Sequence, residues 1–529
     1  MNLKKIVKVL AVSTLLIGLL SGCGNKDDGK QTSPKAVSSE KTQLNVATEL
    51  FSHSLDPSVD YESWFVMRWG VGECLVKFAD DYSFEPWLAE SWSVADDDLT
   101  WTFILREGIK FSNGEDMTPS KVVDSIKKVY KDSDPKNGGT GNLQSFFTYS
   151  SLSADDEANT VTIVTTEPTP DLPGCMAYPW MMITNVDQNR NLAIEGPIGT
   201  GPYVIESMTT DVDIKLVKNE YYWDGVVPFE TVSIMKVEEP STRSMSLQDG
   251  STDMAMSISA ADRQTLGNLG DYNISEVSGS RVGYAHVNLE GLLENDNLRN
   301  AVVMAIDEKT IADITTNGSY SYGYAVVPSI LDFGYDNLTF KNSFDAEKAA
   351  KLLDDAGIVD TNGDGIREID GENIVLDYKV TASRQMNTIA EAQVTQLTNI
   401  GIKANVSITE TQADVLMNGD FDLAASNEVT TPTGDPAKFL NHWYSKSDTN
   451  YISYNNAEYD EIYEKLITEF DLGKRKEYIV QLQQMILDDS VALVYGYYNY
   501  NICSTSAIEG AYCLTSDFYW VTKDIKPAK

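Results

Sequence analysis

The sequence predicts an α/β protein of more than one domain, on three observations. Its 529 residues exceed what a single hydrophobic core organises, so two or three domains are expected. Runs with apolar residues at every second position are followed by stretches in which they recur at helical spacing. A hydrophobic fraction of 42% with few Pro and Gly is that of an ordinary globular chain.

The elements can be read in order. Lys4, Lys5 and Lys8 precede an apolar run from Val9 to Leu20, too short to span a bilayer. Leu20-Ser21-Gly22-Cys23 then has the pattern of a bacterial lipobox. Residues 1–22 are therefore expected to be an export signal, with the Cys23 thiol accepting diacylglycerol; a plain secretory signal with an incidental Cys is the alternative. Residues 23–43 are polar and without apolar periodicity, a flexible tether between lipid and folded body. No other apolar run is long enough to cross a membrane, which places the body at the extracytoplasmic face of a bacterial cell membrane, held by lipid.

Structure begins at Leu44-Asn45-Val46-Ala47, a strand. Leu99, Trp101, Phe103 and Leu105 alternate with Thr100, Thr102 and Ile104, a second strand with turn chemistry at Asp96-Asp97-Asp98 and at Asn113-Gly114. A helix opens at Thr118-Pro119, with Thr as N-cap and Pro where its missing N–H costs nothing. Its apolar face is Val122, Ile126, Val129 and Tyr130. Further strands are read at 160–165, 231–237, 401–404 and 421–423, and further helices at 241–247, 298–306, 344–353, 390–397, 459–470 and 474–487. Asp345 or Ser343 is placed to cap the 344–353 helix and Gly357 to end it. Tyr495, Tyr497, Tyr498 and Tyr500 read as packing rather than as a base-stacking platform.

Composition excludes several functions. Lys and Arg number 41 against 79 Asp and Glu, a formal charge of −38. That field repels nucleic acid and anionic headgroups, favours a soluble, self-repelling monomer and steers cations, although a buried site can differ locally. No CxxC pair, HExxH, GxSxG or phosphate-binding loop occurs, and Gly199-Thr200-Gly201 lacks the rest of a dinucleotide fingerprint. Neither an enzyme nor a cofactor is expected. Cys503 and Cys513, nine residues apart in an exported chain, are expected as a disulfide.

Four stretches resemble the extracytoplasmic solute-binding proteins of peptide- and nickel-type ABC importers, solute-binding family 5. The first is Leu88-Ala89-Glu90-Ser91-Trp92 through Gly108, Lys110-Phe111 and Gly114 to Val122-Val123-Asp124-Ser125. The second is Gly199-Thr200-Gly201-Pro202-Tyr203 with Lys218-Asn219-Glu220-Tyr221-Tyr222-Trp223-Asp224-Gly225. The third runs from Tyr284 to Pro328, with Leu298-Arg299-Asn300-Ala301 and Ala305-Ile306-Asp307, and the fourth from Phe344 to Gly357. The resemblance implies a two-lobed, hinged periplasmic-binding-protein-like fold with an extra subdomain in the first lobe. It places the first lobe at 44–82, 200–278 and 494–529, the extra subdomain at 83–199 and the second lobe at 279–493. It implies a short peptide or peptide-like ligand delivered to ABC permease subunits, with nickel chelates, oligosaccharides or, in another class, a secreted enzyme as alternatives.

The resemblance also nominates ligand contacts. In peptide-binding members an Asp beside a Trp, ahead of an Asp-Pro, meets the ligand ammonium. Here the segment is Ala425 to Pro436, Pro432 stands where that Asp would, and the Trp is missing. Asn427, Glu428 and Asp435 are the polar candidates there, with Glu428 as the replacement carboxylate. Arg384 sits where some dipeptide-binding members carry a carboxylate-binding Arg, whose fork of donors suits that group; a solvent-exposed Arg is the alternative. Tyr284, His442 and Trp443 are candidates to line the cleft. A single His is a weak metal signal. Asp360, Asn362 and Asp364 begin a calcium-type loop, but position twelve is Gly371, so a plain turn is favoured.

Overall fold

The computed structural model describes residues 41–186 and 189–529, which form one compact unit from Lys41 onward. The export signal, the lipobox and Cys23 lie outside the described residues. The end of the expected tether is already part of the fold. Lys41 pairs with Asp253 at 2.5 Å, the Thr42 carbonyl accepts from the Glu230 N–H, and Gln43 opens the first strand.

The 86–130 stretch folds as its pattern predicts. Strand Thr100–Leu105 buries Trp101, Phe103 and Leu105 and turns Ile104 outward. Asp97 shapes the turn before it by accepting from the Leu99 and Thr100 N–H groups at 3.0 and 2.9 Å. Helix Pro119–Asp132 starts at Thr118, whose hydroxyl accepts from the Lys121 N–H, and buries Val122, Ile126 and Val129. Four antiparallel strands stand in the order 89–94, 100–105, 160–165, 149–155, and the helix packs on the last two.

An eleven-stranded mixed sheet organises the rest. At its centre two long antiparallel strands, Tyr272–Val287 and Ala492–Thr505, run side by side. Their neighbours engage opposite ends of this ribbon. Met254–Met256 pairs with Ile502–Ser504 and leads outward through Gln43–Thr48, Thr231–Lys236, Asp213–Lys218 and Tyr203–Thr209. Leu423–Val429 pairs with Arg281–Val287 and leads outward through Val375–Val380 to Lys403–Ile408. The last two strands are parallel and joined by helix Met386–Thr398, the crossover that parallel strands require. The ribbon thus carries the chain from one half of the sheet to the other. A separate core of Ala285, Leu298, Val302, Leu353, Tyr378, Ile389 and Leu423 lies wholly in the second half.

Two expectations are corrected. The strand read at 421–423 starts at Leu423 and runs to Val429; Asp422 precedes it, its N–H on the Asp377 carbonyl at 3.0 Å and its carboxylate accepting from the Asp377 N–H at 2.7 Å. The Cys503–Cys513 bridge is not formed: all four described cysteines are free. Cys503 packs among Ala47, Leu247, Ala255, Ile258 and Leu266, while Cys513 lies half-buried against the larger core. Burial pushes the Cys503 thiol up to about 12.

Candidate functional site

The ribbon is interrupted where it passes between the two halves of the sheet. Its register shifts between Ser278 and Val282, leaving Gly279, Ser280 and Arg281 unpaired with the partner long strand. The Ser280 carbonyl instead accepts from the N–H and hydroxyl of Thr430, both at 3.0 Å. Gly279 is required here, since a Cβ at that position would fall 2.2 Å from the Tyr500 ring. The bulge aims Arg281 at the other half of the molecule. Its guanidinium lies 5.7 Å from the centre of the Trp64 ring and donates to the Asn427 carbonyl at 2.8 Å.

Arg384 arrives beside it from the turn Ser383–Gln385, before helix Met386–Thr398. Its backbone is left-handed, φ +47°, as is that of Gln385 at +59°. For residues with a Cβ such a conformation costs about 1–3 kcal/mol each and persists where its surroundings hold it. Tyr320 holds it by donating its hydroxyl proton to the Arg384 carbonyl at 2.9 Å. With that proton engaged, the Tyr320 oxygen accepts from Asn427 Nδ2, also at 2.9 Å. The relay leaves Asn427 Oδ1 buried and without a partner. The Arg384 guanidinium lies 5.7 Å from the Tyr498 ring centre, and among the described residues neither Arg384 nor Arg281 has an ion-pair partner. Burial and then the charge of Arg281 hold the Arg384 guanidinium below its usual range. The carboxylate within electrostatic reach, Asp517, is already bound by Arg68 at 2.5 Å and Trp520 Nε1 at 2.7 Å.

Glu428, next along the strand, faces the other way. His442 Nε2 donates to its Oε2 at 3.0 Å, Tyr284 donates to Oε1 at 3.0 Å, and Ser426 adds a further bond. His442 Nδ1 meets the Thr449 carbonyl at 3.2 Å, so both ring nitrogens are donors and the ring is an imidazolium. His286 stands 3.0 Å from the Tyr284 hydroxyl. Burial would raise the Glu428 carboxyl, yet His442 and His286 hold it well below the usual carboxylate range. Burial would lower His442, and Glu428 outweighs it and raises the ring. Burial dominates at His286 and lowers it. Glu428 is therefore an ionised carboxylate already matched by a cation.

The structure thus divides the sequence candidates. Arg384 and Asn427 come together, joined by Arg281 and Tyr320, which the sequence reading missed. Tyr284, Glu428 and His442 form a second, internally satisfied cluster with His286. Trp443 is a core residue, 1% exposed, with its Nε1 on the Val491 carbonyl. Asp435 is bound by Arg475 through Nη2 at 2.8 Å and Nε at 3.0 Å, and its other oxygen accepts from the Ala437 N–H. The loop at Asp360 is a turn: Asp360, Asn362 and Asp364 accept from the backbone N–H groups of Gly363, Gly365, Asp364 and Ile366. Among the described residues no group of three or more His, Cys, Asp or Glu side chains is placed to hold a metal, and no helix is long and apolar enough to cross a membrane.

The two halves touch around this site. The Tyr82 hydroxyl is 2.7 Å from that of Ser280, and Thr433 donates to Asp171 at 2.7 Å.

Comparison with known proteins agrees with this architecture. The chain is 25% identical over 534 residues to the dipeptide-binding protein DppE of Bacillus subtilis, covering 94% of this chain and 95% of that one. The crystal structure of NikA from Brucella suis, in complex with Fe(III)-EDTA, superposes with a TM-score of 0.81 at 20% identity, covering 92% of this chain and 100% of the other. AppA from Bacillus subtilis, in complex with a nonapeptide, gives 0.74 at 21%, covering 93% and 99%. The fold is the α/β two-lobed type of these solute-binding proteins. The model of bacterial extracellular solute-binding proteins, family 5 Middle, matches residues 83–451, most of the chain, and the chain belongs to that family.

Proposed function

We propose that this chain captures a short peptide or peptide-like solute between two lobes and delivers it to the permease of an ABC importer. In this reading it acts as a monomer at the extracytoplasmic face of the cell membrane, held by lipid on Cys23, and catalyses nothing. The first lobe comprises 44–82, 200–278 and 494–529 with the subdomain 83–199, and the second lobe 279–493.

The observation that carries this reading is the Arg384–Tyr320–Asn427 relay at the interrupted ribbon. A guanidinium fork without a carboxylate suits a ligand carboxylate, and an orphaned buried amide oxygen suits a ligand N–H. A peptide supplies both groups. The name of the Bacillus subtilis relative supports a peptide ligand. Closure follows from population shift: a solute that contacts both lobes stabilises the closed state by its differential affinity.

Thermal-shift titration of the purified chain with panels of peptides, oligosaccharides and nickel chelates tests the reading. A peptide that binds raises Tm with dose, because it stabilises only the folded state. Shifts at micromolar nickel chelate or oligosaccharide with none for any peptide refute it. For the anchor, Cys23→Ala is expected to release the protein from the membrane fraction, and an unmodified Cys23 in membrane-bound protein, seen by mass spectrometry, refutes lipidation.

A further inference from the structure

The peptide reading does not account for the second arginine. One ligand carboxylate neutralises Arg384, yet Arg281 stands near enough to depress it and is itself without an ion pair among the described residues. Around Tyr500 the charged neighbours are Arg281, Arg384, Arg68 and Asp517. Asp517 is bound by Arg68 and favours the Arg281 charge only through space, so three guanidiniums share one carboxylate at a half-buried place, in a chain of formal charge −38. Repelling cations held together at partial burial are unfavourable unless an anion joins them. The carboxylate on the neighbouring strand position is not available to them, since Glu428 faces away and is bound to His442.

We infer that the ligand is acidic, carrying two anionic groups close together, one for Arg384 and one for Arg281, and that a peptide ending in Asp or Glu is preferred over its neutral counterpart. The inference rests on the peptide reading above. The two guanidiniums approach from different elements, the 383–385 turn and the 278–282 bulge, so they present two separate forks rather than one. An α-carboxylate and the side-chain carboxylate of the same residue offer two anionic groups a few bonds apart. Asn427 links the two arginines, through its carbonyl to Arg281 and through Tyr320 to Arg384, and its unpaired Oδ1 is the acceptor there for the amide N–H of that terminal residue. Arg281 lies over the Trp64 ring and Arg384 over the Tyr498 ring, contacts that limit where each guanidinium sits. Basic side chains are disfavoured at this end, because no unmatched carboxylate meets them there.

The test uses the full mature chain and paired peptides of two to five residues, each pair alike except for a terminal Glu or Gln. Titration calorimetry is expected to give at least about tenfold tighter binding for the Glu member, the scale of one charge-assisted contact. Arg281→Gln is expected to abolish that discrimination, bringing the two members of a pair to equal affinity, and Arg281→Lys to restore part of it. Should Arg281→Gln fail to fold, Arg281→Lys and the wild-type peptide pairs carry the test. Equal affinity within every pair overturns the inference and leaves the peptide reading standing. Discrimination that survives Arg281→Gln overturns the role of Arg281. If no peptide of either kind binds, the peptide reading falls and this inference with it.

Discussion

Glu73 offers the sharpest test of the energetics. Its carboxylate is 1% exposed and receives Thr200 Oγ1 at 2.8 Å, Trp223 Nε1 at 2.8 Å and the Tyr222 hydroxyl at 3.2 Å. It ties Thr200, between two glycines, to the aromatic end of the neighbouring hairpin, and lines a cavity of about 240 Å³. Burial pushes its carboxyl from 4.5 up to about 7, the three donors opposing and Asp224 adding to the rise. A folded value above the unfolded one means that the contribution to stability is complete below about 4.5 and is lost as pH rises through about 7. At about 1.4 kcal/mol for each tenfold change in proton affinity, the rise from 4.5 to about 7 amounts to about 3 kcal/mol. Glu73→Gln keeps the shape without the titration. Its stability relative to wild type is expected to improve by about 3 kcal/mol between pH 4.5 and pH 8, whatever the absolute cost of the lost bonds. Urea unfolding followed by tryptophan fluorescence at several pH values reads this difference. Parallel pH profiles for variant and wild type refute the reasoning.

Three further outcomes follow from the geometry. Asp435→Ala strands the buried Arg475 guanidinium, 4% exposed, and is expected to cost about 3–5 kcal/mol in urea unfolding; a loss under 1 kcal/mol would mean that the pair is solvated. The Glu428–His442 pair stabilises most between the unfolded values of 4.5 and 6.5. The raised His442 loses its contribution as pH climbs through its folded value, and the lowered Glu428 loses its own as pH falls through its folded value, so His442→Gln is expected to flatten the alkaline side of the stability profile. Gly279→Ala drives a Cβ into the Tyr500 ring and is expected to cost about 1–3 kcal/mol of stability and to weaken ligand affinity, checked by melting and by titration of the same sample; an unchanged Tm refutes the close approach.

Local structure was legible where neighbours in sequence decide it. The alternation at 99–105 gave a strand with the expected inner face, and Thr118-Pro119 and Asp345 cap the helices they precede. The family pattern was legible because it is written in short contiguous motifs, among them Gly199-Thr200-Gly201, whose glycines approach the backbone at Gly70 and Val71 too closely for any side chain. Arg384 and Asn427 could be nominated from that pattern. Their meeting could not, because it depends on Tyr320, more than sixty residues from Arg384 and one hundred from Asn427.

What the sequence by itself determined, then, is the chemistry and period of each segment: an α/β chain, a polar acidic surface, strands and helices with their caps, and membership in a family of binding proteins. Only the tertiary structure decided which polar groups are free. Glu428, Asp435 and the Asp360 loop look like ligands in one dimension and are satisfied by His442, Arg475 and backbone N–H groups in three. Arg281 looks ordinary in one dimension; in three it sits at a slip in strand register, and among the described residues it has no ion pair. The reason is physical. Hydrogen bonds and ion pairs are matched through space, and a group's availability is the remainder after partners distant in sequence have been counted.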